Sequence, residues 1–415
     1  MATLPFAKDK HVSVSMIYAL SFLVLNKQVS TCLGQRIRGA FRTDSIQIPF
    51  SSYVTSNAII GVAGSLLNVM MIYKVLKKFD AFKYSISFTR NMSRFAGWVC
   101  KLYVPQIFRK QYFGLFAMMY GVKIEEAERD SFDQYVTFTD FFTRTLKPGV
   151  RPIYQPEDVS SIVSPCDGRV LTVGEANAAD STIDAVKGRS YRLDEFMLGY
   201  KGNPSERDDS EANNDSVKAL LDSISAKGNS LYWMVIYLSP GDYHRFHSPA
   251  IHTADYRRHI VGYLSPVKPS YVEKNRDVFK NNERVNIFGQ WREDDFFFTS
   301  FVGALNVGSI VLDFDEDVAT NQAYPQSPYN EDKIYTQEVD GPLSRYLSAS
   351  HEESGQLSFE KGEMTGRFEM GSTIVLIYEA PTDSQTLVEA GDKVTLGEPL
   401  VLTEPLVEDG TMAQQ

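Results

Sequence analysis

The sequence is poor in cysteine. Three thiols in 415 residues, Cys32, Cys100 and Cys166, stand far apart with no CxxC spacing. That excludes a disulfide framework and offers no zinc pattern, so no metal site is expected. Acid is scarce at the front of the chain: residues 1–110 hold 15 Lys and Arg but only Asp9, Asp44 and Asp80. The local charge is +12, and with −10 on the whole chain the remainder carries −22. An acidic body argues against nucleic acid as a partner. A basic lead in front of it reads as a targeting or membrane-surface region. Disorder is excluded too, because hydrophobic residues reach 43% and aromatics 12%, enough for one large core or two ordinary ones. There is no long internal repeat.

One stretch lacks charge altogether. Residues 53–73, YVTSNAIIGVAGSLLNVMMIY, are uncharged throughout, and a helix of that length at ~1.5 Å per residue spans a ~30 Å hydrocarbon layer. Arg36, Arg38 and Arg42 precede it, Lys74, Lys77 and Lys78 follow it, and Tyr53 and Tyr73 stand at the expected interfaces. A transmembrane helix is therefore expected at 51–75. Asn57, Asn68 and the small residues Gly61 and Ser65 leave a buried helix of a soluble domain as the alternative. Residues 1–50, basic and rich in Ser and Thr, resemble an organelle presequence, mitochondrial by preference. Their apolar stretch at 12–25 could also serve as a signal-peptide core or a second span. Residues 76–130 read as a membrane-proximal amphipathic region, in which FRKQYFGLFAMMYGVK at 108–123 suits either an anionic bilayer or an ordinary core-facing helix.

From about residue 161 the texture changes to β-rich runs broken by Gly, Pro and Asp: IVSPCDGRVLTVG, LYWMVIYLSPGDY, ERVNIFGQW, FFFTSFVGALNVGSIVLDF and STIVLIYEAP. These predict an α+β protein whose domain at 131–415 is mostly β. The polar segment KGNPSERDDSEANNDS at 201–216 predicts a mobile surface loop.

Three segments could carry chemistry. In FEMGST at 368–373 a glycine precedes Ser372 at a strand entrance, which permits a strained turn or an ordinary one. In YLSPGDYHRFHSP at 237–249, His244 and His247 follow a Pro-Gly turn. They could be metal ligands, core polar residues or an acid/base pair, and no cluster completes a metal site. In SPCDGRV at 164–170, Asp167 sits in an Asp-Gly pair that could be a surface turn or a carboxylate orienting a histidine.

Together with FFTRTLKPGVRPI at 141–153, NERV at 282–285, NVGSI at 306–310 and GSTIVLIYEAP at 371–381, these segments resemble the phosphatidylserine decarboxylases over roughly residues 90–405. The usual LGST motif has Met370 in place of leucine, which conserves apolar bulk beside Gly371 and Ser372. The resemblance implies self-cleavage between Gly371 and Ser372 by a triad of Asp167, His247 and Ser372, with His247 as base. A β chain 1–371 and an α chain 372–415 would then pair as a heterodimer. It further implies that Ser372 becomes a covalent pyruvoyl cofactor, which forms a Schiff base with phosphatidylserine and releases CO₂ to give phosphatidylethanolamine. His244 would handle substrate and protons. A lipid substrate fits a bilayer partner and, by preference, a single-pass site in the mitochondrial inner membrane with the catalytic domain facing the intermembrane space; other endomembranes are the alternative.

Two readings of other classes compete. VEAGDKVTLGEPL at 388–400 and SPCDGRVLTVG at 164–174 look like half-hairpins of biotinyl or lipoyl carrier folds, but no Met-Lys-Met displays a lysine. They are expected as related hairpins within the decarboxylase fold. A membrane-tethered serine hydrolase using the same three residues, or a non-catalytic scaffold, would leave the chain whole, and Ser372 lacks a GxSxG elbow.

Overall fold

The run STIVLIYEAP forms the strand Ser372–Pro381, buried along nearly its whole length. A strand covered on both faces needs apolar residues at consecutive positions, and this one has them. It occupies the middle of a nine-stranded antiparallel sheet. Across the sheet the strands are Glu331–Ile334, His252–Ile260, Arg284–Trp291, Asp295–Val302, Ser372–Pro381, Asn229–Leu238, Gly168–Glu175 and Lys393–Val394, with Leu357–Phe359 added on His252–Ile260. The computed structural model describes residues 86–404 apart from 177–180, 186–188, 200–208, 276, 293, 306–308, 323–330, 336–356 and 370. The presequence expected at 1–50, the transmembrane helix expected at 51–75 and Met370 thus lie outside the described residues. Among the described residues no helix is long and apolar enough to cross a membrane.

Successive side chains of a strand point to opposite faces, and this alternation divides the core. Val375 and Ile377 pack with Trp233, Val235 and Phe298 on one face. Ile374, Leu376 and Tyr378 pack with Met234, Ile236 and Phe301 on the other. Ser372 has the parity of Ile374 and so belongs to the second face. There a three-stranded sheet, ordered Ile310–Leu312, Met364–Phe368, Arg245–His247, covers the large one. Phe246 stacks on Phe301 with centroids 4.1 Å apart and meets Phe368 at 4.8 Å.

The expected β runs all appear as strands. The loop expected at 201–216 is corrected in its second half, because Asp209–Ala226 is a helix. Val217, Leu220, Leu221 and Ile224 give that helix an apolar stripe on the first core face. The polar stretch before them supplies opening turns whose acidic sequence suits the positive end of a helix.

Among the described residues, three α-helices stand before the sheets: α1 (Ile86–Cys100), α2 (Gln106–Tyr120) and α3 (Phe138–Phe142). Arg90 of α1 is 2% exposed and reaches Glu283 of the NERV segment at 3.3 Å, where His259 also binds at 3.0 Å. That motif therefore anchors the helical lead. In α2, Phe113 and Ala117 pack against Phe138, Phe141 and Phe142, while Ile107, Leu115, Met118 and Met119 are exposed. The core-facing reading of 108–123 thus holds on one face of the helix, and the opposite face is exposed. The stretches 164–174 and 388–400 meet where Gly168–Glu175 pairs with Lys393–Val394, and the neighbouring strand Ser161–Val163 pairs with Pro399–Leu402.

Candidate active site

Ser372 opens the central strand opposite Leu238. It is 0% exposed, and its Oγ has no hydrogen-bond partner among the described residues. Thr373 is equally buried, with an equally unpartnered Oγ1. Burying a hydroxyl without a partner costs about 1–3 kcal/mol, so two in succession mark a place where polar satisfaction has been withheld. Gly371 just before them has φ +38°. Nothing lies within 4 Å of the place a Cβ would take, so glycine is required there for its left-handed backbone and not for room.

The small sheet brings the histidines to this strand entrance. Arg367 pairs with Arg245 and Met364 with His247, and the Phe368 N–H donates to the His244 carbonyl at 2.9 Å. His244 therefore lies beside the end of Met364–Phe368 that leads on to Gly371, and His247 beside its start. Asp167 comes in with the preceding turn, where the His247 N–H donates to the Pro165 carbonyl at 2.8 Å.

His244 is fully buried, and its ring packs on Phe142 at 4.0 Å between centroids. Its Nδ1 lies 2.9 Å from the Asp242 carbonyl. A carbonyl only accepts, so Nδ1 carries the proton and Nε2 presents a lone pair. That Nε2 is buried without a partner among the described residues. Burial, reinforced by the positive charge of Arg144, brings the pKa down to about 3, so His244 is a neutral base at pH 7.

His247 follows the same logic with its nitrogens engaged. Nδ1 donates to the Gly362 carbonyl at 2.9 Å, and Nε2 accepts from the Tyr243 hydroxyl at 3.1 Å. Burial lowers its pKa as well. Asp167, 8% exposed, is gripped by Arg151: Nε to Oδ1 at 2.9 Å and Nη2 to Oδ2 at 2.7 Å, with the Leu396 N–H on Oδ1 at 2.9 Å. Arg151 also reaches Glu126 at 2.8 Å, and the bond to Asp167 is the main reason its own pKa rises.

The four residues singled out by sequence thus share one region without forming a hydrogen-bonded triad. Asp167 is bonded to Arg151 where the triad expects His247, and His247 is bonded to Gly362 and Tyr243 where it expects Asp167 and Ser372. Sequence reasoning missed Arg151 and Tyr243. Both lie inside segments that carry the resemblance, but nothing in spacing reveals their partners. Cys166, beside Asp167, is fully buried, and burial pushes its thiol well above the ordinary value, the setting of a structural cysteine.

A buried hydroxyl behind a left-handed glycine suits backbone attack in a water-poor setting. Comparison with known proteins identifies the family. The signature of the phosphatidylserine decarboxylase family matches residues 138–402. The mitochondrial phosphatidylserine decarboxylase proenzyme of Rattus norvegicus is 37% identical over 314 residues, covering 75% of this chain and 72% of the relative. Proenzyme 1 of Saccharomyces cerevisiae is 33% identical over 378 residues, covering 77% and 73%. That of Arabidopsis thaliana is 34% identical over 343 residues, covering 75% and 71%. With the signature spanning well over half of its length, the chain belongs to the phosphatidylserine decarboxylase family.

Proposed function

We propose that this chain is a carboxy-lyase that converts phosphatidylserine to phosphatidylethanolamine after cutting itself between Gly371 and Ser372. The observation that carries the reading is the Ser372 hydroxyl, buried and unpartnered directly behind a glycine at φ +38°. The Oγ attacks the Gly371 carbonyl, the peptide becomes an ester, and the Ser372 nitrogen is freed as an amine. Loss of the Ser372 α-proton expels the Gly371 carboxylate and leaves dehydroalanine, which hydrolyses with release of ammonia to a pyruvoyl group. The residues suit such a group: Ser372 and Thr373 offer unpartnered polar atoms, and among the described residues no charged side chain is bonded to either. When formed, the pyruvoyl carbonyl supplies the electron sink for the pair released as CO₂ departs.

His247 is assigned as the base for self-cleavage, with Asp167 supporting it electrostatically across the turn; the negative charge of Asp167 favours the protonated ring. His244 is assigned to turnover. Its bare Nε2 is assigned to accept a hydrogen bond from the substrate amine and to pass a proton to the carbon that has lost CO₂. Tyr243 and Arg151 hold His247 and Asp167 in position.

The exposed apolar residues of α1 and α2, among them Trp98, Ile107, Leu115, Met118 and Met119, lie with exposed Arg94 and Lys110. That combination suits an anionic bilayer surface. Residues 1–50 serve as presequence and 51–75 as a single span, with 76–130 at the membrane and 131–415 as the catalytic domain. The mitochondrial inner membrane, with the catalytic domain toward the intermembrane space, is the preferred location. The chains 1–371 and 372–415 remain together as a heterodimer.

The test is intact mass under denaturing conditions beside a Ser372→Ala control. Two fragments meeting at 371/372, the smaller one blocked to N-terminal sequencing and reactive toward carbonyl reagents, are expected. A single uncut chain indistinguishable from the control in membranes and across pH would overturn the reading and favour the hydrolase or scaffold.

A further inference from the structure

Arg144 stands beside the histidines, its guanidinium 5.9 Å from the centroid of the Phe141 ring and most of its hydrogen-bonding capacity unused among the described residues. It is 4% exposed. Nη2 donates to the Gly241 carbonyl at 2.9 Å and to the Asp242 carbonyl at 3.2 Å, whereas Nε and Nη1 are buried with no partner among the described residues. The Asp242 carbonyl also takes the Nδ1 proton of His244, so Arg144 and His244 share one acceptor. Asp167, Asp242 and Tyr243 all act electrostatically on Arg144, yet burial outweighs them and lowers its pKa. A cation held in so dry a place without a bonded carboxylate is expensive unless an anion visits it. Bracing the turn at 239–242 needs only Nη2.

Position indicates which anion. A Cβ on Gly241 would lie 2.1 Å from the Tyr120 carbonyl, so the turn held by Arg144 abuts the C-terminal end of α2. That end carries the exposed Met118 and Met119. Along the contacts the order is apolar helix face, Gly241, Arg144, Asp242, His244. A phospholipid with a serine headgroup has the same order: acyl chains, phosphodiester, amino acid. We infer that Arg144 binds the phosphodiester of the lipid substrate through Nε and Nη1. The inference rests on the decarboxylase reading. The substrate's other anion, its carboxylate, is excluded by the chemistry, since a guanidinium there would stabilise charge that must be lost in the transition state and would slow the reaction. A phosphodiester keeps its charge throughout, so Arg144 contributes uniform binding and is a specificity residue.

The experiment compares the full chain with Arg144→Gln and Arg144→Lys, each first checked by intact mass for cutting at 371/372. Substrates are dihexanoyl phosphatidylserine and O-octylserine, which has the amino acid and an alkyl chain but no phosphate. Dihexanoyl phosphatidylglycerol serves as an amine-free competitor. For Arg144→Gln the KM for dihexanoyl phosphatidylserine should rise roughly 10- to 100-fold with kcat within about threefold. Turnover of O-octylserine should change no more than kcat does, inhibition by phosphatidylglycerol should weaken by the same factor as KM rises, and Arg144→Lys should fall between. Equal losses on both substrates, or undiminished inhibition, would overturn the inference in favour of a bracing role. Should neither variant fold, the unmodified chain decides: failure of phosphatidylglycerol to compete also overturns it. A chain that is cut yet leaves phosphatidylserine intact sinks the parent reading instead, and calorimetric titration with phosphatidylglycerol then tests Arg144 alone.

Discussion

The two ends of the strand Ser372–Pro381 treat polar atoms in opposite ways. At the far end Glu379, 1% exposed, is fully engaged. Asn229 donates to it at 2.7 Å, the Phe296 N–H at 3.0 Å, and Lys227 pairs with it at 3.3 Å. At the near end Ser372 and Thr373, and in the same region His244 Nε2 and Arg144 Nε and Nη1, are buried with no partner among the described residues. The fold can satisfy a buried carboxylate on this strand, but Tyr378 beside it also has an unpartnered hydroxyl among the described residues, so what sets the near end apart is an open hydroxyl directly behind a left-handed glycine. Stability is concentrated at one end and reactivity at the other.

The comparison breaks most sharply at Ser372. Replacing Ser372 with Ala should abolish both cutting and lipid turnover while leaving the melting temperature unchanged or higher, because the lost hydroxyl has no partner to strand. Mass spectrometry and a thermal melt on one sample check both halves. Glu379→Ala should do the reverse, lowering unfolding free energy by about 2–4 kcal/mol in denaturant titration while cutting at 371/372 still proceeds. A Glu379 variant of wild-type stability would dissolve the contrast.

Acid sharpens it more gently. His244 and His252 have folded pKa values brought down to about 3 and about 4 by burial, so the unfolded chain binds their protons first. Stability is fully present above pH 6.5 and is lost as pH falls toward those values, at about 1.4 kcal/mol per pH unit for each residue. Unfolding midpoints between pH 7 and 4 should show this slope, and His252→Gln should remove one residue's share of it. Smallest is Tyr243→Phe, which strips the cap from His247 Nε2 and should cost about 1 kcal/mol. A cutting rate altered alongside it would separate positioning of His247 from simple packing.

The central strand was legible because a segment buried on both faces must be continuously apolar, and STIVLIYEAP is. The histidines, Asp167 and Ser372 were legible through the resemblance, and the topology brings their segments to one place. Their hydrogen bonds were not. The carboxylate of Asp167 meets Arg151 because the chain at 150–153 folds back across the turn, a tertiary event that no local pattern encodes. The strand His252–Ile260 was equally hidden, since Arg257, Arg258 and His259 read as surface residues and yet are about 1% exposed. Arg257 pairs with Asp315, Arg258 donates to the Leu198 carbonyl, and His259 bonds to Glu283. Asp209–Ala226 escaped for the converse reason: its first half is polar enough to read as a loop, and the stripe that fixes it begins only at Val217.

The position of Gly371 has one more consequence. A break immediately before Ser372 would make the central strand the start of a separate 44-residue chain, still paired along its length with Asn229–Leu238 and over much of it with Asp295–Val302. The same short chain supplies Pro399–Leu402 to Ser161–Val163, and its Leu396 N–H holds Asp167. Its escape would require the large sheet to come apart, so dissociation and unfolding become one event. Such a nicked molecule should not exchange its small chain with neighbouring copies, and its melting temperature should be insensitive to dilution even though no covalent bond joins the halves.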